Sequence, residues 1–318
     1  MEMRKKTFLT GSLLLVIIFM GNGVQGDEFP VLKGAYLGQK PPGAIPEVFA
    51  QGIVSTNKPE FNAAFSPDGK EFFFSVNQPS GRETMMFMKC ENNQWTPPRS
   101  APFVSPQNDC DPFFSHDGRR LYFISTRPKT TDKRSKDWDI WYVEKTGSGW
   151  SAPRNIGPPV NSPHEEYYVS LTKEGTVYFA SNRAGGYGSF DIYRSKLVDG
   201  SYQKPENVGN SINTQYLEHD PLIAPDENYI IFTSVKRPEG FGTGDLYISF
   251  RRKDGSWTEA KNLGKVFNTS GYDFCPMVSP DGKYFFFTSK GDIYWISMEA
   301  IMRLKEDIHP PQYPANIL

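Results

Sequence analysis

The stretch DCDPFFSHDGRRLYFIS, Asp109–Ser125, decides the fold. It enters on carboxylates, runs through a short apolar strand and turns at Ser115–Gly118 (SHDG), where Gly supplies a positive φ and Asp bonds its own turn backbone. Arg119–Ser125 (RRLYFIS) then pairs back, with Leu121 and Phe123 on one side and Tyr122 and Ile124 on the other. Past a polar loop, Trp138–Val143 (WDIWYV) supplies a third strand and Trp150–Ile156 (WSAPRNI) a fourth, in which Pro153 suits an outer edge. Four antiparallel strands in this order make one blade of a propeller.

The phrase recurs. Turns of the same kind stand at Ser66–Gly69 (SPDG), Thr172–Gly175 (TKEG), Ala224–Glu227 (APDE) and Ser279–Gly282 (SPDG), and successive first residues lie 49 to 57 positions apart, a period that marks propellers. Third strands read Asp191–Tyr193, Asp245–Tyr247 and Asp292–Tyr294, while the first copy (Thr84–Met88) lacks the Asp. Fourth strands read Tyr202–Gly209 and Trp257–Gly264, with Trp95–Pro98 in that place in the first copy. The fifth copy stops after its third strand and a short helix through Met298–Lys305, whereas Ile45–Ser55 (IPEVFAQGIVS) precedes the first copy as an unpaired fourth strand. Setting that strand on the outside of the last blade closes the ring and covers its open edge. The expected fold is therefore all-β: a single β-propeller of four-stranded blades, five in number and closed by the N-terminal outer strand, with six blades as the alternative.

Composition agrees. The 318 residues include 24 Phe, 16 Tyr, 6 Trp, 28 Gly and 26 Pro, as expected of many short strands joined by tight turns. Lys+Arg 35 against Asp+Glu 36 gives a net charge of −1, which leaves no global basic field for nucleic acid or an anionic membrane. Arg4, Lys5 and Lys6 precede an apolar core, Phe8–Met20, and a small-residue exit near Gly26/Asp27, which reads as a secretory signal peptide. The expected division is a signal peptide at 1–26, a lead segment at 27–44, the propeller at 45–305 and a Pro-rich tail at 306–318. The core is short for a membrane span of about 20 residues, so no stable span is expected after signal removal. An exported protein, periplasmic or secreted, follows. The odd set Cys90, Cys110 and Cys275 suits neither a zinc site nor a disulfide framework; Cys110 and Cys275 could bridge across the channel, but small buried hydrophobes are the plainer reading.

The SPDG turn, an aromatic strand ending in Ser-x-Arg, and the Asp-Ile-Tyr strand together resemble the TolB-like, WD-repeat-like propellers of bacterial exported proteins. Ser125-Thr126-Arg127 and Ser181-Asn182-Arg183 match the Ser-x-Arg element, and Ser234–Arg237 matches with one insertion. The first and fifth copies lack that Arg. The resemblance covers roughly residues 45–300. It implies fold and export, and it implies a scaffold, binding platform or enzyme domain without choosing among them.

Six residues before each turn stands a carboxylate: Glu60, Asp109, Glu166, Glu218 and Asp273. This register enters the innermost strand, so the five should lie near one end of the channel. A residue present in every blade is commonly part of the repeat's wiring, accepting backbone N–H groups or pairing with a neighbouring blade's Arg127, Arg183 or Arg237. Additional groups break the fivefold pattern: Asp111, Glu165, His219 and Asp220. With the repeated acids they form a candidate ligand-binding rim, which could hold Ca²⁺ through oxygen ligands or supply the acid and base of glycoside cleavage. No cofactor is required by any motif. His219 is the lone His best placed for proton transfer, His116 sits in a turn, His164 precedes two acids, and His309 lies in the tail. Trp138, Trp141, Tyr167, Tyr168, Tyr187, Tyr216 and Tyr272 could line a sugar surface, although strand alternation favours core packing for most; Tyr187 and Phe190 depart from that alternation. The Gly clusters Gly185–Ser189 and Gly240–Gly244 open no helix, which excludes a phosphate loop, and no Gly-x-Ser-x-Gly elbow occurs. The expected function is a monomeric binding or scaffold propeller for a protein or glycan partner in the cell envelope. The alternative is a glycan-active hydrolase or lyase using the rim carboxylates.

Overall fold

The computed structural model describes residues 29–129 and 137–308, so the Met1–Gly26 leader, most of the Lys129–Lys136 loop and His309 with its tail lie outside the described residues. Within them, five antiparallel blade sheets form the ring, and a two-stranded ribbon, Leu197–Val198 with Ser201–Tyr202, follows the third strand of blade 3. Blade 1 runs Glu60–Phe65, Glu71–Asn77, Glu83–Glu91 and Arg99–Ser100, from the inner strand outward. Blade 2 is Asp109–Phe114, Arg120–Ser125, Asp139–Thr146 and Arg154–Asn155; blade 3 is Glu166–Leu171, Val177–Ser181, Asp191–Ser195 and Glu206–Asn207. Blade 4 is Leu217–Ile223, Tyr229–Val235, Gly244–Phe250 and Lys261–Asn262. Blade 5 takes Phe274–Val278, Tyr284–Ser289 and Asp292–Ser297 from the C-terminal end, and its outer strand, Glu47–Val48, from the N-terminal end. The five-bladed ring and its closure are as the repeat count requires.

The closing strand is shorter than the sequence suggests. Glu47 faces Trp295 and Val48 faces Tyr294, and the Phe49 N–H donates to the Ile293 carbonyl at 2.8 Å. Ala50 then takes a left-handed conformation (φ 47) and bends the chain off the sheet. What holds the closure is side-chain burial. Phe49 is fully buried, its ring 5.6 Å from Phe72 of blade 1 and 5.2 and 5.1 Å from Phe286 and Trp295 of blade 5. The lead segment adds to the seam: Tyr36 packs edge-on against Phe65 and Tyr284, and the Trp95 indole donates to the Gly34 carbonyl at 2.8 Å.

Between blades the strands bury both faces, which is why their sequences run nearly continuously apolar. Phe73 and Phe87 of blade 1 meet Phe123 and Trp141 of blade 2, and Tyr178 and Ile192 of blade 3 meet Phe232 and Tyr247 of blade 4. Each such side chain removed from water contributes roughly 1.5–3 kcal/mol. A helix, Glu299–Ile308, follows blade 5; no helix among the described residues is long and apolar enough to cross a membrane.

Because Phe49 is fully buried among four rings of blades 1 and 5, Phe49→Ala is expected to lower unfolding free energy by about 3–5 kcal/mol. Denaturant titration checks this against Ile45→Ala at an exposed neighbouring site, for which a change within about 0.5 kcal/mol is expected.

Candidate functional site

The five repeated carboxylates are wired into the blades. Each is almost completely buried, and each accepts two bonds from a Ser or Thr four residues earlier, one from its N–H and one from its hydroxyl. The donors are Thr56 to Glu60, Ser105 to Asp109, Ser162 to Glu166, Thr214 to Glu218 and Thr269 to Asp273. In blades 2, 3 and 4 an arginine completes the set: Arg127 to Asp109, Arg183 to Glu166 at 2.9 Å and Arg237 to Glu218 at 3.1 Å. These arginines belong to the same blade as their carboxylates, a correction to the neighbouring-blade pairing expected from sequence. The reason is register: the second strand pairs back so that Ser125, Ser181 and Ser234 lie opposite the acids, bringing the Arg that follows onto them. Each guanidinium also donates to the backbone of the preceding connection, at Phe103, Val160 and Ile212. It lies over two rings of its own blade as well, as Arg237 does over Phe232 and Tyr247. In blades 2, 3 and 4, charge and stacking thus anchor the arginine in its own blade, and its bond to the preceding connection ties that blade to the one before it.

One residue further, the side chains turn to the mouth of the channel. Phe61, Cys110, Tyr167, His219 and Phe274 follow the five acids in order, and all but Cys110 line a depression of about 350 Å³. Two residues further, every inner strand breaks register with its partner. The residue there adopts a left-handed conformation: Asn62 (φ 55), Asp111 (φ 54), Tyr168 (φ 46), Asp220 (φ 51) and Cys275 (φ 51). Such bulges re-aim side chains, and these five meet around the axis, across both adjacent and non-adjacent blades. The Tyr168 hydroxyl donates to the Pro276 carbonyl at 2.6 Å, the Cys275 thiol contacts Asp111 at 3.7 Å, and the Cys275 N–H donates to Asp220 at 3.1 Å. Asp111, Asp220 and Glu83, from three different blades, form the acidic part of the depression; Tyr167, Phe190, Tyr272, Phe274 and Phe61 form its aromatic walls.

His219 joins the two parts. Its Nδ1 lies 2.7 Å from Asp220 Oδ1 and its Nε2 2.6 Å from the Tyr272 hydroxyl, so with Nδ1–H donating to the carboxylate, Nε2 accepts from the phenol. The Tyr272 ring stacks beside the imidazole at 5.9 Å. Gly244 makes room for it: a Cβ there would lie 2.7 Å from the ring. Burial, with the charges of Asp220 and Glu83, pushes the Asp111 carboxyl well above the ordinary carboxylate range. Glu83 is also raised, by burial and then by Asp220, against the lowering effect of a bond from the Cys110 thiol at 3.2 Å.

The structure therefore separates the sequence-predicted rim. Asp111, His219 and Asp220 come together in the depression; Glu60, Asp109, Glu166, Glu218 and Asp273 are occupied with blade wiring; Glu165 pairs with the Asn182 side chain and is not among the residues lining the depression. Of the aromatic candidates, Tyr167 and Tyr272 line it, Tyr168 fills the axis beneath, and Trp141 lies under Arg127. Phe190 lines it too, at the end of a Gly-rich loop folded onto Asp191, which accepts the N–H groups of Tyr187 and Gly188. His116 bridges to the Leu171 carbonyl of blade 3, and His164 is exposed. Glu83 escaped sequence reasoning because it stands one residue before the repeat's Asp position, which Thr84 fills. The thiols of Cys110 and Cys275 contact carboxylates and are free. Among the described residues, no group of three or more His, Cys, Asp and Glu side chains is arranged to hold a metal ion.

Neither a protein-family model nor a curated protein matches the chain. Among solved structures it is similar to a putative TolB from Agrobacterium tumefaciens, at 17% identity and a TM-score of 0.50, over 77% of this chain and 79% of that one. TolB from Acinetobacter baumannii gives 16% identity and a TM-score of 0.48 over 78% of this chain, which spans only 54% of that protein. An α-L-arabinofuranosidase from Lactobacillus brevis gives 13% and 0.48, over 72% and 82%. The fold is that of the TolB-like propellers, and the likeness is one of fold.

Two outcomes test this division. Arg237→Met strands the buried Glu218 and is expected to cost about 3–5 kcal/mol, most of which Glu218→Gln in the same chain should restore; unfolding of the single and double variants decides it. Asp111 has a folded-state pKa above its unfolded value, so its contribution to stability is full below the ordinary carboxylate range and is lost as pH rises through the folded pKa. Asp111→Asn should accordingly flatten the alkaline side of the melting temperature against pH, leaving the acid side below the carboxylate range with the smaller change.

Proposed function

We propose that the protein is an exported propeller that binds a glycan, with one sugar unit seated in the depression at the channel mouth. The observation that carries this is the pairing of three carboxylates from three blades with flanking aromatic rings in one pocket. Carboxylates accept from sugar hydroxyls, and aromatic faces pack against the apolar side of a pyranose ring. Tyr187, exposed on the Gly185–Ser189 loop, and Phe241, exposed in the corresponding loop of blade 4, extend the aromatic surface for neighbouring sugar units. Export rests on the basic and apolar leader at 1–26.

A second reading, glycoside hydrolysis, has one specific observation in its favour. Burial and neighbouring charge favour the protonated form of Asp111, in the same pocket as Asp220, which the imidazole of His219 holds. A carboxyl biased toward its protonated form beside a second carboxyl is the kind of pair that glycoside cleavage uses.

Calorimetric titration of the mature chain, beginning near Asp27, with pooled glycan oligosaccharides tests the binding site. Tyr272→Ala removes one wall and is expected to weaken binding about tenfold or more, within the range for a central aromatic contact, while unfolding stays cooperative. Undiminished binding by that variant would place the glycan elsewhere. Release of reducing ends by the wild-type chain, lost in Asp111→Asn, would favour hydrolysis.

A further inference from the structure

The channel-mouth pocket is asymmetric in charge in a way that a neutral sugar does not require. Among the described residues, Glu83, Asp111 and Asp220 line it and neither Lys nor Arg does; His219 is the one basic side chain among them and is already bonded on both nitrogens. The three carboxylates share the pocket without the arrangement that would grip a bare metal ion, which leaves room for a larger cationic group. Next to Asp111, the Asn62 side chain is 1% exposed. It donates to Asp111 at 3.4 Å, and its Oδ1 has no hydrogen-bond partner among the described residues. A buried carbonyl oxygen without a donor is costly; Asn62 backs Asp111 and is not itself among the residues that line the pocket. The walls are aromatic faces, which attract a cation as well as a sugar ring.

We propose that the pocket selects an amino sugar whose amine is free and protonated, a de-N-acetylated hexosamine unit of a glycan. This rests on the glycan reading above and narrows it. The ammonium would sit among Asp111, Asp220 and Glu83, donating to carboxylate oxygens, with the pyranose ring against the Tyr272 and Tyr167 walls. An N-acetylated unit would bring a neutral amide in place of the charge.

Among the described residues, the groups facing Asp111 are Asp220, Glu83, Cys275, Cys110 and the Tyr167 and Tyr168 hydroxyls, with His219 behind Asp220. None supplies a fixed positive charge. A cation arriving among them stabilises the ionised form of Asp111, so its proton should leave to solvent on binding.

The test is calorimetric titration of the mature chain at neutral pH with three matched oligomers: glucosamine, N-acetylglucosamine and glucose. Each is run in two buffers of different ionisation enthalpy to count released protons. The glucosamine oligomer should bind about tenfold to a hundredfold more tightly than the other two, the range expected of charged hydrogen bonds, and it alone should release protons. Asp111→Asn should abolish the proton release and shrink the preference, and Glu83→Gln, at a less buried site, should shrink it with the fold intact. Equal affinity for all three oligomers would overturn amine selection while leaving glycan binding in place. Binding to none would overturn both. Binding of a lysine-rich peptide in preference to every sugar would also overturn the amino sugar as occupant.

Discussion

A buried carboxylate at the entrance to each inner strand is the constraint from which the rest of this propeller follows. It must be satisfied, because an ion taken out of water without partners is among the most costly things a fold can contain. The chain satisfies it locally, through the N–H and hydroxyl of a Ser or Thr four residues earlier, and in three blades through an arginine of the same sheet. That arginine in turn reaches back to the connection from the previous blade. Fixing the acid fixes where each inner strand begins, and with it the bulge two residues later. Wiring and pocket are successive positions on one strand.

This succession explains how a fivefold frame can carry a site with no fivefold symmetry. At the wiring position the residue type barely varies, since every blade needs a carboxylate there. At the left-handed bulge the side chains are Asn62, Asp111, Tyr168, Asp220 and Cys275, five residues with little in common chemically. Free of the repeat's structural demand, they meet around the axis and can specialise. The same holds one residue earlier, where three aromatic rings alternate with a thiol and an imidazole.

Much of the architecture was legible because it is written in repetition. Turn residues, strand alternation and the missing fourth strand of the last copy lead to five blades closed by a strand within Ile45–Ser55, of which only Glu47–Val48 pairs, without reference to any contact. The wiring was legible in part: the carboxylates stand out by their phase, but the Ser or Thr four residues before each was overlooked, although Thr56, Ser105, Ser162, Thr214 and Thr269 keep the same spacing. The pocket was the least legible. Asp111, His219 and Asp220 drew notice by breaking the pattern, yet nothing local in the sequence announces a left-handed bulge at non-glycine residues. Glu83 reaches the pocket from a third strand, by a tertiary approach that no spacing on its own strand encodes.

Two acids only two residues apart on one strand, Glu218 and Asp220, do different work. Glu218→Gln and Asp220→Asn should be compared side by side, each by thermal unfolding and by titration with the same oligosaccharide. Glu218→Gln is predicted to lose stability through its severed pair with Arg237 and, once folded, to retain affinity. Asp220→Asn should melt close to the parent and lose affinity. A stable Glu218→Gln that cannot bind, or an Asp220→Asn that unfolds while its folded fraction binds normally, would contradict the division of wiring from pocket.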